Sequence, residues 1–325
     1  MILIVGQNLA WQKACTVPAI MRGEVNRVLT MREFASSKGP NVARALFALG
    51  GSGEVICYAG GATGRRAADY LNAEGIHTRV VRILAETRTC TTLMEPDGTS
   101  TEMIEPSPHV SPEEREEMRR TVLARLDDCG LLAIMGTALS GESEDCYAAI
   151  ARSAHQRGIP VLMDSVSPEA LRAFHEAPEV LKINARELGS IAGLPTRTAA
   201  ERIEACRGIA GRFGIRWFII TMGAAGVEAF DGNILIHAAP PKVKVVNAIG
   251  SGDAAAAGAA WTLHEVISAH GKAEALSSRE CLREALLCAA AMGTANCLNP
   301  INGSVSPADY RSVRDRTDIS EVSFP

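Results

Sequence analysis

No run of about 18 apolar residues occurs in this sequence, which leaves no candidate membrane-spanning helix. Aromatic residues are scarce, at 4% of the 325 residues. With 29 glycines and many Ala-rich segments, small side chains must do much of the packing. There is no basic surplus: 33 Lys and Arg face 37 Asp and Glu, for a formal net charge of −4 and a pI near 6.0. That argues against a nucleic-acid binder, though not against a local basic pocket for a small anion. The start, Met1-Ile2-Leu3-Ile4-Val5-Gly6, lacks the basic opening of a secretory signal and reads as a first buried strand. Nine cysteines are scattered with no Cys-x-x-Cys pair and no zinc spacing. The expectation is reduced, mostly buried thiols in a cytoplasmic protein.

Several catalytic signatures are also missing. There is no Gly-x-x-x-x-Gly-Lys-Ser/Thr phosphate loop. Gly60-Gly61-Ala62-Thr63-Gly64 follows a strand-like run but has neither the dinucleotide-binding spacing nor the later acidic partner. Seven scattered histidines give no readable hydrolase triad.

What is present is an ordinary globular composition, 47% hydrophobic and 22% charged. Short apolar runs at Ile2–Val5, Val55–Tyr58, Leu131–Met135, Val161–Met163, Val180–Ile183 and Trp217–Thr221 read as buried strands. Helical segments separate them: Asn41–Leu49, Arg65–Ala73, Ser143–Gln156, Thr198–Phe213, Ala254–Ala269 and Glu280–Ala295. This alternation predicts one α/β domain over residues 1–325, with a mainly parallel sheet covered on both faces. Two segments break the pattern. Val25–Thr30 alternates like a strand, and so does Thr87–Ile104 around a Pro96-Asp97-Gly98 turn. They predict a small β lid built from about residues 10–34 and 87–104, of the kind that excludes water during group transfer.

Five stretches carry chemistry. Val243–Val246 predicts a β-rich run leading to Gly250-Ser251-Gly252-Asp253 and then an Ala-rich helix. The two glycines allow a sharp bend with bare N–H groups, and the helix start adds positive potential. That makes an anion hole with Asp253 at its edge, placed to accept a hydroxyl proton or simply to cap the helix. Ser36-Ser37-Lys38-Gly39-Pro40-Asn41 precedes a helix, with Lys38 facing a substrate anion or solvent. Arg88, central in Glu86–Thr92, would grip a phosphate or carboxylate by its planar fork, or lie solvated on an edge strand. Asn184 and Glu187 share the first turn of a helix, able to hold hydrated Mg2+ through its waters or to form a capping box. Thr221-Met222-Gly223-Ala224-Ala225-Gly226 leaves a strand as a loop that a nucleotide could approach, or as an ordinary turn.

In this order the motifs resemble the ribokinase-like (PfkB) sugar kinases, closest to the sugar-phosphate branch of 1-phosphofructokinase and tagatose-6-phosphate kinase. The likeness runs from Met1 to about Tyr310 and includes Gly23-Glu24-Val25-Asn26-Arg27. It implies a three-layer αβα sandwich with a β lid that often clasps a homodimer. It also implies ATP and Mg2+ as cofactors, with a monovalent cation as a further candidate. By position, Asp253 would be the catalytic base, with Gly250, Ser251 and Gly252 as the anion hole. Gln12, Ser37, Lys38, Gly39, Asn41, Arg88 and Cys90 would meet the acceptor, a sugar or sugar phosphate. Asn184 and Glu187 would organise Mg2+ and phosphates. Thr221, Gly223 and Gly226 would line the ATP site, with Asn296 near the adenine.

Three departures fall on the acceptor side. Where the family has Asn-Pro-Ala-Ile/Leu-Asp, this sequence has Asn8-Leu9-Ala10-Trp11-Gln12, so Gln12 replaces the hydroxyl-gripping Asp. The family's Gly-Gly before Lys is Ser36-Ser37 here. The loop resembling Gly-Ser-Leu-Pro-Pro-Gly is Gly136-Thr137-Ala138-Leu139-Ser140-Gly141. The expected function is transfer of the ATP γ-phosphoryl group to a hexose phosphate. A nucleoside or unphosphorylated-sugar kinase, and a non-catalytic sugar- or nucleotide-binding regulator, are the alternatives.

Overall fold

The computed structural model describes residues 1–322. The chain opens with β1 (Ile2–Asn8), β2 (Ala10–Thr16), β3 (Thr30–Ser36), α1 (Lys38–Ala48), β4 (Gly53–Gly60), α2 (Gly61–Ala73) and β5 (His77–Ile83). It continues through β6 (Arg88–Met94), β7 (Ser100–Ile104), α3 (Pro112–Leu126), β8 (Leu131–Met135), α4 (Cys146–His155), β9 (Val161–Asp164) and α5 (Pro168–Ala173). Then come β10 (Val180–Asn184), α6 (Ala185–Ala192), α7 (Ala199–Phe213), β11 (Trp217–Thr221), β12 (Val227–Phe230) and β13 (Leu235–Ala239). The last elements are α8 (Ser251–His270), α9 (Lys272–Ser277), α10 (Arg279–Asn296), α11 (Pro307–Arg314) and β14 (Asp318–Val322).

Ten strands form one sheet in the order β14-β13-β12-β11-β10-β9-β8-β1-β4-β5. From β11 to β5 the pairing is parallel, and β12, β13 and β14 add an antiparallel edge. The apolar runs explain the parallel part: β1, β8 and β9 are buried at every residue, as strands covered by helices on both faces must be. Each face carries its own core. Ile2, Ile4, Val42, Leu46 and the Ala-rich interior of α8 and α10 fill one side. Leu3, Val5, Tyr147, Phe174, Phe213 and Phe218 fill the other. Alternate residues of β1 divide between them, as the pleat requires. The small residues let α8 and α10 pack closely: a Cβ on Gly258 would lie 2.7 Å from the Cys288 backbone.

A second sheet of four strands, β3-β2-β6-β7, stands beside the first. Its strands depart from the expected ones. Val25–Leu29 lies outside any strand, with Val25, Val28 and Leu29 exposed, and pairing begins only at Thr30. The alternation there reflects no buried face. Val243–Val246 is likewise irregular rather than β, with Val245 and Val246 exposed.

Strand order reverses at β1, since the chain passes outward through β4 and β5 and then returns to β8 on the other side. In an open parallel sheet such a switch point leaves a crevice beyond the carboxyl ends of the strands. Gly6 and Asn8 at the end of β1, with Met135, Gly136 and Thr137 at the end of β8, line that crevice.

Candidate active site

The crevice holds a cavity of about 320 Å³. Its floor comes from the large sheet, and the small sheet forms a wall. On β2, β6 and β7 the residues Ala10 and Gln12, Arg88 and Cys90, and Glu102 and Ile104 all face it. They are alternate residues in register, Ala10 opposite Arg88, Gln12 opposite Cys90 and Cys90 opposite Ile104, so one face of the lid is presented. The third contribution is Ser36, Ser37, Lys38 and Asn41, which carry the chain from β3 into α1. Asp253 and Asn302 complete the lining. Lys38, Arg88 and Asp253, 215 positions apart at the extremes by the numbering, thus converge in one cavity.

Asp253 lies in the first turn of α8, whose N-cap is Gly250 at φ 84°. Only glycine enters that backbone region freely, and a Cβ on Gly250 would sit 2.7 Å from the Gly303 nitrogen. The Asp253 carboxylate is buried and accepts a 2.8 Å hydrogen bond from Asn41 Nδ2. Asn41 is oriented in turn. Its Oδ1 accepts from Ser36 Oγ at 3.0 Å and from Arg44 Nη1 at 3.2 Å. Ser36 accepts from Asn302 Nδ2 at 3.2 Å, and Asn302 Oδ1 accepts from Asn247 Nδ2 at 2.9 Å. Every donor in this buried row points toward Asp253. Burial pushes the Asp253 carboxyl above the usual carboxylate range, against the pull of Lys38 and of the Asn41 donor.

A second buried carboxylate stands nearby. Asp164, at the end of β9, takes Lys38 Nζ on Oδ1 at 2.6 Å and Lys182 Nζ on Oδ2 at 3.0 Å. Burial alone would raise Asp164, but the two ammonium groups prevail and hold it below its ordinary value. Burial works against the Lys38 ammonium too, and Asp164 with Asp253 behind it holds that group above the usual lysine value. Lys182 also overhangs the bend before α8: a Cβ on Gly252 would meet Lys182 Nζ at 2.8 Å. The space over the Gly250–Gly252 amides is therefore lined by a fixed cation.

Arg88 behaves differently from most arginines here. It is half-buried, burial lowers its pKa, and Nε finds no partner among the described residues. Gln12, expected to replace the hydroxyl-gripping Asp, spends its Nε2 on Thr92 Oγ1 at 2.9 Å and on the Lys13 carbonyl at 3.3 Å. Asn8 reaches Ser107 Oγ and Thr137 Oγ1 through Nδ2, and its buried Oδ1 has no partner among the described residues.

Other expected site residues are placed apart from this cavity. Gly39 does not line it; it lets α1 touch β1, where a Cβ would lie 2.8 Å from Gly6 Cα. Asn184, Thr221 and Gly223 come together around a separate opening of about 440 Å³, beside Arg186 and Arg197. Residues Gly223–Ala225 form a 3-10 turn. Gly226 is outside the opening and serves the turn, at φ 97° with no room for a Cβ beside the Ala238 carbonyl. Asn296, expected near the adenine, lines neither opening and braces the interior. It is fully buried, donates to the Ile249 carbonyl and Ser251 Oγ, and accepts from Gly303 N, which leaves it fixing the Gly250 bend from behind.

For Asn184 and Glu187 the capping box is realised. Asn184 Oδ1 accepts from Glu187 N at 2.8 Å, and Glu187 Oε2 accepts from Asn184 N at 3.0 Å. Glu187 Oε1 carries no hydrogen bond among the described residues, so this carboxylate keeps an oxygen for a hydrated cation. The described residues contain no cluster of three or more His, Cys, Asp or Glu side chains able to ligate a metal directly.

Comparison with known proteins agrees with this architecture. The profile of the "pfkB family carbohydrate kinase" matches residues 5–300. The chain belongs to that family. It is a phosphotransferase that acts on a sugar hydroxyl, and its kind of kinase uses ATP and a divalent metal. Phosphofructokinase-2 from Escherichia coli, in its tetrameric inhibited form, superposes with a TM-score of 0.84 at 22% identity, covering 97% of this chain and 98% of that one. A possible 1-phosphofructokinase from Thermotoga maritima gives 0.82 at 19% identity, with 99% of each chain covered. A carbohydrate kinase from Agrobacterium tumefaciens gives 0.70 at 19% identity, again over 99% of both. At these identities the likeness speaks for the ribokinase-like fold, which the two sheets of this kinase reproduce. Among the described residues, no helix is long and apolar enough to cross a membrane.

Proposed function

We propose that this kinase phosphorylates a hexose phosphate, with Asp253 as the base. The observation that carries the acceptor class is Arg88: a half-buried guanidinium with no carboxylate partner among the described residues, facing the same cavity as Asp253. An unpaired cation is costly to bury and is satisfied by an anion that arrives with the substrate. Lys38 lends further positive charge, although Asp164 already holds it. A neutral sugar or nucleoside would leave Arg88 unsatisfied. One of the Escherichia coli phosphofructokinase-2 structures is a complex with fructose-6-phosphate, which is in keeping with that class.

In this reading the attacking hydroxyl lies against Asp253, whose carboxylate accepts its proton as the new oxygen–phosphorus bond forms and the bond from the γ-phosphorus to the β-phosphate oxygen breaks, releasing ADP. The raised pKa makes the carboxylate a better proton acceptor than an ordinary aspartate. The Gly250–Gly252 amides and Lys182 steady the charge on the transferred group. The nucleotide enters by the opening beside Asn184, Thr221 and Gly223, with Arg186 free to meet phosphates. Asn184 and Glu187 would hold Mg2+ through water, and a bound Mg2+ supplies neutralisation of phosphate charge. A monovalent cation is carried over as a candidate, since Escherichia coli phosphofructokinase-2 has been solved with potassium. Exposed Met21, Val25, Leu29, Met31, Met103 and Ile104 on and beside the lid are consistent with a homodimer clasped through it.

A coupled ADP-release assay over hexose phosphates, pentoses and nucleosides tests the acceptor. Preference for ribose or adenosine would overturn the reading, and ligand uptake without ADP release for every acceptor would point to a regulator. Asp253→Asn tests the base. Turnover should fall about 10²–10⁴-fold with MgATP binding kept; near-native turnover would remove Asp253 from that role.

A further inference from the structure

Behind the opening beside Asn184 lies a buried ion pair that the mechanism above does not use. Arg202 of α7 meets Glu228 of β12 edge to edge: Nε donates to Oε2 at 2.6 Å and Nη2 to Oε1 at 2.5 Å. Both side chains are buried, and Glu228 stands opposite Ile220 of β11. The third nitrogen of Arg202 turns the other way. Nη1 donates to two successive carbonyls, Thr196 at 3.2 Å and Arg197 at 3.0 Å, in the connector between α6 and α7. That connector is tied once more, since Thr196 Oγ1 donates to the Ala185 carbonyl at 2.7 Å. Ala185 follows Asn184, in the turn closed by the Asn184–Glu187 capping box. Thr196 and Arg197 line the same opening as Asn184 and Thr221.

A buried ion pair is a poor route to stability, because desolvation offsets the attraction and apolar side chains of like volume do as well. What this pair adds is direction. The planar fork, fixed by two carboxylate oxygens, aims its other nitrogen at two carbonyls that an apolar side chain could not hold. Connectors between helices are ordinarily the mobile part of a fold, and this one is pinned at both of its wall residues. We propose that Arg202, anchored by Glu228, is a positioning residue for the nucleotide. It holds the Thr196–Arg197 connector and, through Thr196, the first turn of α6, where Asn184 and Glu187 receive phosphates and their hydrated cation. This rests on the reading above that the nucleotide enters beside Asn184. Arg202 acts through the connector rather than on the nucleotide.

The test sets calorimetric binding of the unreactive ATP analogue AMP-PNP with Mg2+ beside urea unfolding, in the native chain and in variants. Arg202→Met strands the Glu228 carboxylate, so it should lose stability and bind the analogue about tenfold more weakly. Adding Glu228→Met removes the stranded charge. The double variant should regain most of the native stability yet bind the analogue as weakly as Arg202→Met, since nothing takes the two carbonyls. A purely structural pair would recover affinity together with stability. Arg202→Lys keeps the charge but cannot hold the carboxylate and both carbonyls at once, so it should fold and still bind the analogue about tenfold more weakly. Native affinity in a folded double variant overturns the proposal; should the double variant not fold, native affinity in Arg202→Lys does so. Asn184→Ala separates this inference from the reading beneath it. If that variant binds the analogue as the native chain does, the entry reading fails and the inference falls with it. If Asn184→Ala binds weakly and the double variant binds normally, the inference alone falls.

Discussion

Removing the amide that faces Asp253 should move the pH dependence of the enzyme in one direction only. Asn41 Nδ2 donates to Asp253 Oδ2 at 2.8 Å in a buried setting. A hydrogen bond to a charged group contributes about 1.5–3 kcal/mol. At 1.36 kcal/mol per decade, Asn41→Ala shifts the balance between the carboxylate and its protonated form about tenfold to a hundredfold toward the neutral acid. Asp253 accepts a proton only when charged, and burial already raises its pKa. The variant should therefore lose kcat/KM at a higher pH than the native enzyme as the medium is acidified, and keep most of its activity in the alkaline range. Stability follows the same sign. A carboxyl raised in the folded state contributes stability that is present below its unfolded pKa and lost as pH rises through the folded value. Asn41→Ala should accordingly be least destabilised in acid. The assay is coupled ADP release with the accepted hexose phosphate, stepped from about pH 5 to pH 9, with MgATP binding as the check on folding. Ser36→Ala is the control, because Arg44 Nη1 still orients Asn41 at 3.2 Å; its acid limb should hardly move. An acid limb unmoved in a folded Asn41→Ala protein would refute the role of Asp253 as the titrating base.

Two further outcomes are expected. Arg88→Gln should raise KM for the hexose phosphate roughly tenfold to a hundredfold, the worth of one charge-assisted contact, with KM for ATP unchanged in the same steady-state assay. Lys182→Met should leave Asp164 with Lys38 alone, cost about 3 kcal/mol in urea unfolding and lower kcat, because the cation over the α8 amides is gone. The Asp164 contribution is present above the unfolded carboxyl pKa and lost in acid, as its pKa is depressed in the folded state. The stability gap between Lys182→Met and the native chain should thus close as pH falls.

Six of the ten strands of the large sheet, β1, β4 and β8 to β11, were legible as short, mainly apolar runs, whereas the largely exposed β5 and β14 and the short β12 and β13 were not. Ile2–Val5 and Leu131–Met135 can only be covered strands. Val25–Leu29 and Val243–Val246 misled for the same physical reason: β-branched residues in alternation mark a strand only when a partner strand is there, and neither stretch has one. The helix Pro112–Leu126 went unnoticed although Ser111 and Glu114 form a capping box, since only Met118, Val122 and Leu126 of it are buried. In the site, Lys38, Arg88, Asn41 and Asp253 were visible as motifs. Asp164 and Lys182 were not. Their meeting depends on β9 and β10 pairing in parallel with Leu162 opposite Val180 and Met163 opposite Leu181, which carries Asp164 to Lys182. Within its own stretch Lys182 looks like an interruption of an apolar strand, and only the register gives it a partner. Asn302 and Asn247 were likewise invisible as supports, because their bonds to Ser36 and to each other span long stretches of chain.

Two buried carboxylates share this site, and their surroundings push them apart. Asp164 takes both lysines directly and stays charged. Asp253, raised first by burial and then by the negative Asp164 nearby, has only one amide donor to set against them. A pair of like groups driven to different proton affinities is how one fold obtains a fixed charge and a working base at the same pH. The fixed charge anchors two cations, one of them Lys182 beside Gly252 at the start of α8, where the proposed mechanism gathers negative charge on the transferred phosphoryl group. In that proposed mechanism the other carboxyl takes the proton of the attacking hydroxyl. If the lysines were shared evenly, Asp253 would be a weaker acceptor and Asp164 a poorer anchor, so the uneven division is itself what suits the pair to phosphoryl transfer.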